Sequence, residues 1–209
     1  MYTGKNMMLK DEGEIINYYR LEQKVLQYGR AFFKEICCCN RKLVSDRILP
    51  LICYNELEDV MTAMESESGT YSGACFWCGG DRQAIIRIGI KGYGNGILTA
   101  KLKRSIRHEI IHYYLWLTEQ PYEDNSLEFW CMCYAFDGAA YFRLNNEDQR
   151  RYDEFKMLYD ELNVGNIAPC MRYSLIDTMV LYISEYSGGE YRNRIIKTLE
   201  GLKEVFHME

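Results

Sequence analysis

The residues best equipped to do chemistry sit side by side in Arg107-His108-Glu109-Ile110-Ile111-His112. Histidine occurs three times in the chain, and two of the three, His108 and His112, are four positions apart. On a helix that spacing stacks both imidazoles on one face, with their backbones about 6 Å apart. Both rings could then reach one Zn2+ at roughly 2.0–2.1 Å. Glu109 is offset by one position, so it can reach a water held by the ion without ligating the ion itself. Zinc lowers the pKa of such a water towards roughly 7, and Glu109 would take its proton as general base. The plainer alternative is a core helix whose two histidines are hydrogen-bonded and whose glutamate faces solvent. That alternative leaves the metal-like spacing to coincidence.

A catalytic zinc needs a third protein ligand and one open position. The remaining imidazole, His207, stands two residues from the end of the chain, where chains fray. A carboxylate or a thiolate suits better, and Cys131 or Cys133 could approach the metal from the following helix. Glu128 falls on the helix expected after the histidine pair, and Glu123 and Asp124, in the loop before it, are the next candidates. Glu128 also has a structural reading, since Asn125-Ser126-Leu127-Glu128 has the spacing of a capping box. Nine cysteines, odd in number and with Cys37, Cys38 and Cys39 consecutive, argue for reduced thiols and against a disulfide framework. The Cys75-x-x-Cys78 and Cys131-x-Cys133 pairs could hold a second zinc, although buried cysteine used as a small apolar residue is the commoner case. A tyrosine or Arg107 would serve the oxyanion of a tetrahedral intermediate.

These residues need elements to hold them. Leu98, Leu102, Ile106, Ile110, Tyr113 and Leu117 step by three and four, which predicts an amphipathic helix over 97–119 around the histidine pair. Upstream, Ala84, Ile86, Ile88 and Ile90 alternate with Arg87, Gly89 and Lys91 and predict a strand over 83–91, followed by a glycine-rich turn at 92–96. Pro121 breaks the chain before a helix over 126–141, and further helices are expected near 147–162, 169–185 and 191–207. Ile15, Ile16, Tyr19, Val25, Leu26, Phe32, Phe33 and Ile36 predict a long first helix over 11–39. Ser45, Asp46 and Asn55 could cap helices on either side of Pro50, and 65–80 should be loop with one short strand. The sum is a mainly helical α+β protein. A domain over 1–145 carries a small sheet and the histidine helix, and a helical extension over 146–209 packs on it.

Hydrophobic residues make up 48% of the 209 and charged residues 26%, with 3 prolines, a globular composition. The balance of 25 Lys and Arg against 30 Asp and Glu leaves a net charge of −5, the wrong sign for neutralising phosphates, which argues against nucleic acid as a partner. The basic cluster Lys101, Lys103, Arg104 and Arg107 reads as a solvated helix face. No uncharged apolar run approaches the roughly 18 residues that span a bilayer, and residues 1–14 are charged where a signal peptide would be apolar. A cytoplasmic protein with no membrane partner is expected.

The stretch from His108 to Leu115, with Tyr122 and Phe129 downstream and an isoleucine-rich strand upstream, resembles the SprT-like branch of the zincin metallopeptidases. The resemblance covers residues 73–140, with His-Glu-x-x-His as its specific motif. It implies a small sheet packed on helices, zinc in a cleft between the histidine helix and the next one, and hydrolysis of a polypeptide substrate. In that branch the third ligand is a histidine shortly before a phenylalanine, and the corresponding window here, 123–126, holds none. A carboxylate ligand on the next helix is similar instead to the gluzincin pattern, also found in ImmA/IrrE-type metallopeptidases, and Glu128 fits that variant. The resemblance further implies that the outer strand of the sheet borders the cleft. If strand 83–91 is that strand, a peptide could add to its free edge through main-chain hydrogen bonds. The same residues would also suit a non-catalytic protein of zincin fold that binds a protein partner through the cleft or its C-terminal helices.

Overall fold

A helix buried on all sides of its middle turns needs neighbours all round it. The histidine helix has them. The computed structural model describes residues 12–37, 49–54, 74–78, 84–90, 96–140, 142–186 and 189–205. In chain order these hold α1 (Glu12–Cys37), β1 (Leu51–Tyr54), β2 (Ala74–Cys78), β3 (Ala84–Gly89), α2 (Ala100–Leu117) and α3 (Leu127–Ala135). They continue with α4 (Asn146–Glu161), a 3-10 turn (Val164–Asn166), α5 (Pro169–Glu185) and α6 (Gly189–Val205). The architecture is mainly helical α+β, as the apolar periodicity predicts. Cys38, Cys39, the caps proposed at 45, 46 and 55, most of the 92–96 turn and His207 lie outside the described residues.

The strands run in the order β1-β3-β2. β1 pairs parallel with β3, placing Leu51 opposite Ile86 and Cys53 opposite Ile88, while β2 runs antiparallel to β3 with Phe76 opposite Ile86. Ile86, Ile88 and Ile90 are buried, as their alternation requires. The strand expected to border the cleft is therefore corrected: β3 is central and offers no free edge. Of the two flanking strands, β2 is the one packed on α2. β1 arises where the residues around Pro50 predict no strand. Leu-Ile-Cys-Tyr is too short to display alternation, and its partner in β3 decides its conformation.

Thr99 starts α2, its Oγ1 accepting the Leu102 N–H at 3.2 Å. Every residue from His108 to Leu115 is buried, because α1, β2, β3 and α3 enclose the helix. Gly29 marks the tightest approach of α1: an added Cβ would meet Leu51 Cδ2 at 2.5 Å and Ile110 Cδ1 at 3.4 Å, so its absence lets α1 close on β1 and α2. α3 stops well short of 141 because Asp137 adopts a left-handed φ of 52°. α3 packs on α4 and α5, and α1 also touches α5, so the C-terminal helices share one apolar cluster with the segment that bears the histidines. Among the described residues no helix is long and apolar enough to cross a membrane.

Candidate metal centre

α2 and the two segments flanking α3 build the site. His108 Nδ1 donates to Ala139 O at 2.6 Å, after α3, and His112 Nδ1 donates to Tyr122 O, before it. With each Nδ1 committed to a carbonyl, each Nε2 is the ring nitrogen turned into the site. The two Nε2 atoms face each other at 3.1 Å. Asp124 Oδ1 completes a triangle, 3.3 Å from His108 Nε2 and 3.5 Å from His112 Nε2. A tetrahedral ion with bonds of about 2.0–2.1 Å keeps neighbouring ligand atoms about 3.3–3.4 Å apart. The three edges bracket that separation.

Charge points the same way. Asp124 Oδ1 is buried, and its charged neighbours are the two imidazoles, His112 foremost. A carboxylate and two imidazole nitrogens converging at a largely buried point call for positive charge among them, which a proton on His112 or a bound cation supplies. Burial works to strip charge from His112, yet the Asp124 and Glu109 carboxylates outweigh it and raise its pKa. Burial and the neighbouring His112 lower His108 to about 4. Burial alone would raise Asp124, but the two imidazoles outweigh it and hold the carboxyl below its ordinary value. The site thus keeps one carboxylate and draws in one positive charge.

Glu109 Oε1 lies 3.8 Å from His108 Nε2, and the backbone N–H of Phe76 donates to the same carboxylate. Burial pushes Glu109 up to about 7, a value at which it can both take and return a proton near neutrality. The ligand atoms of His108, Glu109 and His112 lie within 4.8 Å of one another, and this buried group could hold a metal ion. Aromatic rings wall it in. Phe129 stacks on His112 at 4.0 Å and meets His108 edge-on at 4.9 Å, while Phe76 lies parallel to His112 at 6.0 Å. The site opens on the Asp124 side, where that side chain is 35% exposed against 4–8% for His108, Glu109 and His112.

Glu128, the carboxylate favoured by spacing, is not brought to the imidazoles. Ser126 rather than Asn125 caps α3, its Oγ accepting the Phe129 N–H at 3.4 Å, so Glu128 is the second helical residue and forms no capping box. Successive helical side chains diverge by about 100°. With Phe129 turned to the histidines, Glu128 turns towards α5, where it lines a small cavity with Tyr173 and Asp177 and burial raises its pKa. Glu123 accepts the Tyr122 N–H at 3.2 Å. Asp124 is the loop carboxylate that arrives, and the Trp130 indole N–H pins its carbonyl at 2.7 Å.

Arg107 is committed to Asp137 instead of an oxyanion position. Cys131 and Cys133 are buried, with burial raising both thiols, and Cys133 Sγ donates to Ala139 O at 3.3 Å. Cys78 Sγ lies 3.5 Å from the Tyr122 hydroxyl, and the Cys75 side chain lies outside the described residues. Reasoning from residue types missed Tyr122 O, Ala139 O and Phe76 N–H, which act through the backbone and so carry no residue-type signal. No protein-family model matches the chain, and neither a curated protein nor a solved structure matches it.

Proposed function

We propose that the chain is a zinc-dependent metallopeptidase of the zincin class, with His108, His112 and Asp124 as ligands and Glu109 as general base. The triangle of 3.1, 3.3 and 3.5 Å among two imidazole nitrogens and one buried carboxylate oxygen carries this reading. Asp124 also falls in the window 123–126 where the SprT-like pattern has its third ligand, which favours that branch over the gluzincin one. Zinc, when bound, supplies an activated water and a Lewis acid for the scissile carbonyl. Glu109 takes the proton of the attacking water and returns it to the departing amine. The Phe76 N–H steadies that carboxylate, and Ala139 O and Tyr122 O hold each imidazole with Nε2 turned into the site. Because the β2 backbone reaches Glu109 through Phe76, an extended polypeptide pairing along the outer edge of β2 would run beside the base. The free thiols suit a reducing, cytoplasmic setting.

One observation favours a second reading, a non-catalytic protein that binds a protein partner: both imidazoles and Glu109 are almost wholly buried. Metal analysis with a hydrolysis assay separates the two. The purified protein should carry about one zinc. His108→Ala, His112→Ala and Asp124→Ala should lose it, while Glu128→Gln and Glu109→Gln keep it. The wild type should cleave an unfolded polypeptide and Glu109→Gln should not. Full metal content in a double histidine variant would refute the centre, and metal without turnover would favour the second reading.

A further inference from the structure

We propose that Asp137 is a positioning residue of the metal centre: with Arg104 and Arg107 it sets the turn whose Ala139 carbonyl aims His108. The inference rests on the metal-centre reading above.

The turn follows directly from the end of α3. Asp137 has φ 52°, a left-handed conformation that aspartate adopts more readily than most residues. Gly138 follows because the space is closed: a Cβ there would meet Cys133 Sγ and Ile111 Cδ1 at 3.0 Å. Its N–H donates to Cys133 O at 2.7 Å, which ties the turn to α3.

The tie to α2 is denser. Arg107 Nη1 donates to Asp137 O at 3.0 Å and also to Asp137 Oδ2. Arg104 Nε pairs with Asp137 Oδ1 at 3.3 Å, and its Nη2 donates to Gly138 O at 3.4 Å. The Ala139 N–H donates to Arg104 O at 3.3 Å. At the far end of this lattice Ala139 O accepts from His108 Nδ1. Arg104 lies one helical turn before His108 and Arg107 directly before it, so the same stretch of α2 carries the imidazole and grips the segment that orients it.

Stability alone is a poor account of the arrangement. Arg107 is 22% exposed, but the Asp137 and Arg104 side chains are 69% and 53% exposed, and ion pairs with an exposed partner add little to folding. Orientation is where such contacts count. A partner on the second nitrogen of a ligating histidine fixes ring and tautomer, and losing it weakens metal binding roughly 10- to 100-fold.

The test uses the full chain carrying Asp137→Asn, which keeps left-handed tolerance and removes the charge, and separately Arg104→Gln with Arg107→Gln. Arg150→Gln, which breaks the distant Arg150–Glu154 pair, is the control. Zinc affinity is read by competition with a chromophoric chelator. The His108 Hδ1 proton is read by NMR in the metal-free protein. Both clamp variants should melt within a few degrees of wild type, bind zinc roughly tenfold more weakly and exchange His108 Hδ1 faster, while the control changes neither readout. Folded clamp variants that bind zinc as the wild type does and keep a protected Hδ1 would overturn the proposal. If the wild type takes up no zinc, the metal-centre reading fails, and the Hδ1 signal still decides whether Asp137 positions the ring.

Discussion

Replacing Glu109 with glutamine should end hydrolysis and, in the metal-free protein, raise stability, and one cause underlies both effects. Burial raises Glu109 from 4.5 to about 7, so the folded protein holds that proton more tightly than the unfolded chain does. Between those two values the folded state keeps a proton that the unfolded state has lost. Its contribution is fully present below about 4.5, falls as pH rises and is gone above about 7. At about 1.36 kcal/mol per tenfold change in proton affinity, the full loss is about 3 kcal/mol. Glutamine matches the shape of the protonated acid, keeps an oxygen for the Phe76 N–H and does not titrate. Its advantage should therefore be small near pH 4.5 and grow to about 3 kcal/mol near pH 8. Urea unfolding of both proteins in the presence of a chelator, across that range, measures it. Saturating zinc should shrink the advantage, because a cation beside Glu109 favours the ionised carboxylate. If the difference between the two metal-free proteins is the same at both ends of the range, Glu109 carries no burial-raised pKa. The electrostatic case for it as the base then fails.

Two further outcomes follow from the same geometry. Zinc must displace a proton from His112, where burial is outweighed by Asp124 and Glu109 and the pKa stands above its ordinary 6.5. Affinity should therefore already be falling with pH above that ordinary value, and a competition titration that stays flat until pH 6.5 would contradict it. Trp130→Phe removes the indole N–H that pins Asp124 O, so zinc affinity should fall severalfold with a stability loss of only about 1 kcal/mol. Equal zinc affinity in the two proteins would mean that the loop holds Asp124 without that bond.

Much of the frame was legible before any coordinates because it rests on local periodicity. The three- and four-residue steps from Leu98 to Leu117 mark α2, the alternation of Ile86, Ile88 and Ile90 marks the buried face of β3, and the last three helices fall within a few residues of their expected spans. Strand order has no such local signature. Nothing within residues 83–91 distinguishes a central strand from an edge strand. β1 is four residues whose conformation depends on a partner more than thirty positions away, Leu51 on Ile86.

The choice of proposed third ligand turns on helix phase. Spacing favoured Glu128 because a helix running back along α2 could present an early carboxylate to the ion, and the outcome hung on which residue began that helix. With Asn125 as cap, Glu128 would have been the third helical residue. With Ser126 as cap, Phe129 takes that place and faces the histidines, and Glu128 rotates towards α5. The carboxylate that meets the two imidazoles must then come from the loop, and that loop is already tied to α2, since Tyr122 O accepts the His112 Nδ1–H two residues before Asp124. One carbonyl thus does two things: it turns His112 Nε2 into the site and fixes where the loop returns, which brings Asp124 Oδ1 within 3.5 Å of that nitrogen. A single-residue shift in the cap is enough to exchange one candidate ligand for another, because it rotates everything after it by a fixed angle while leaving the loop before it anchored.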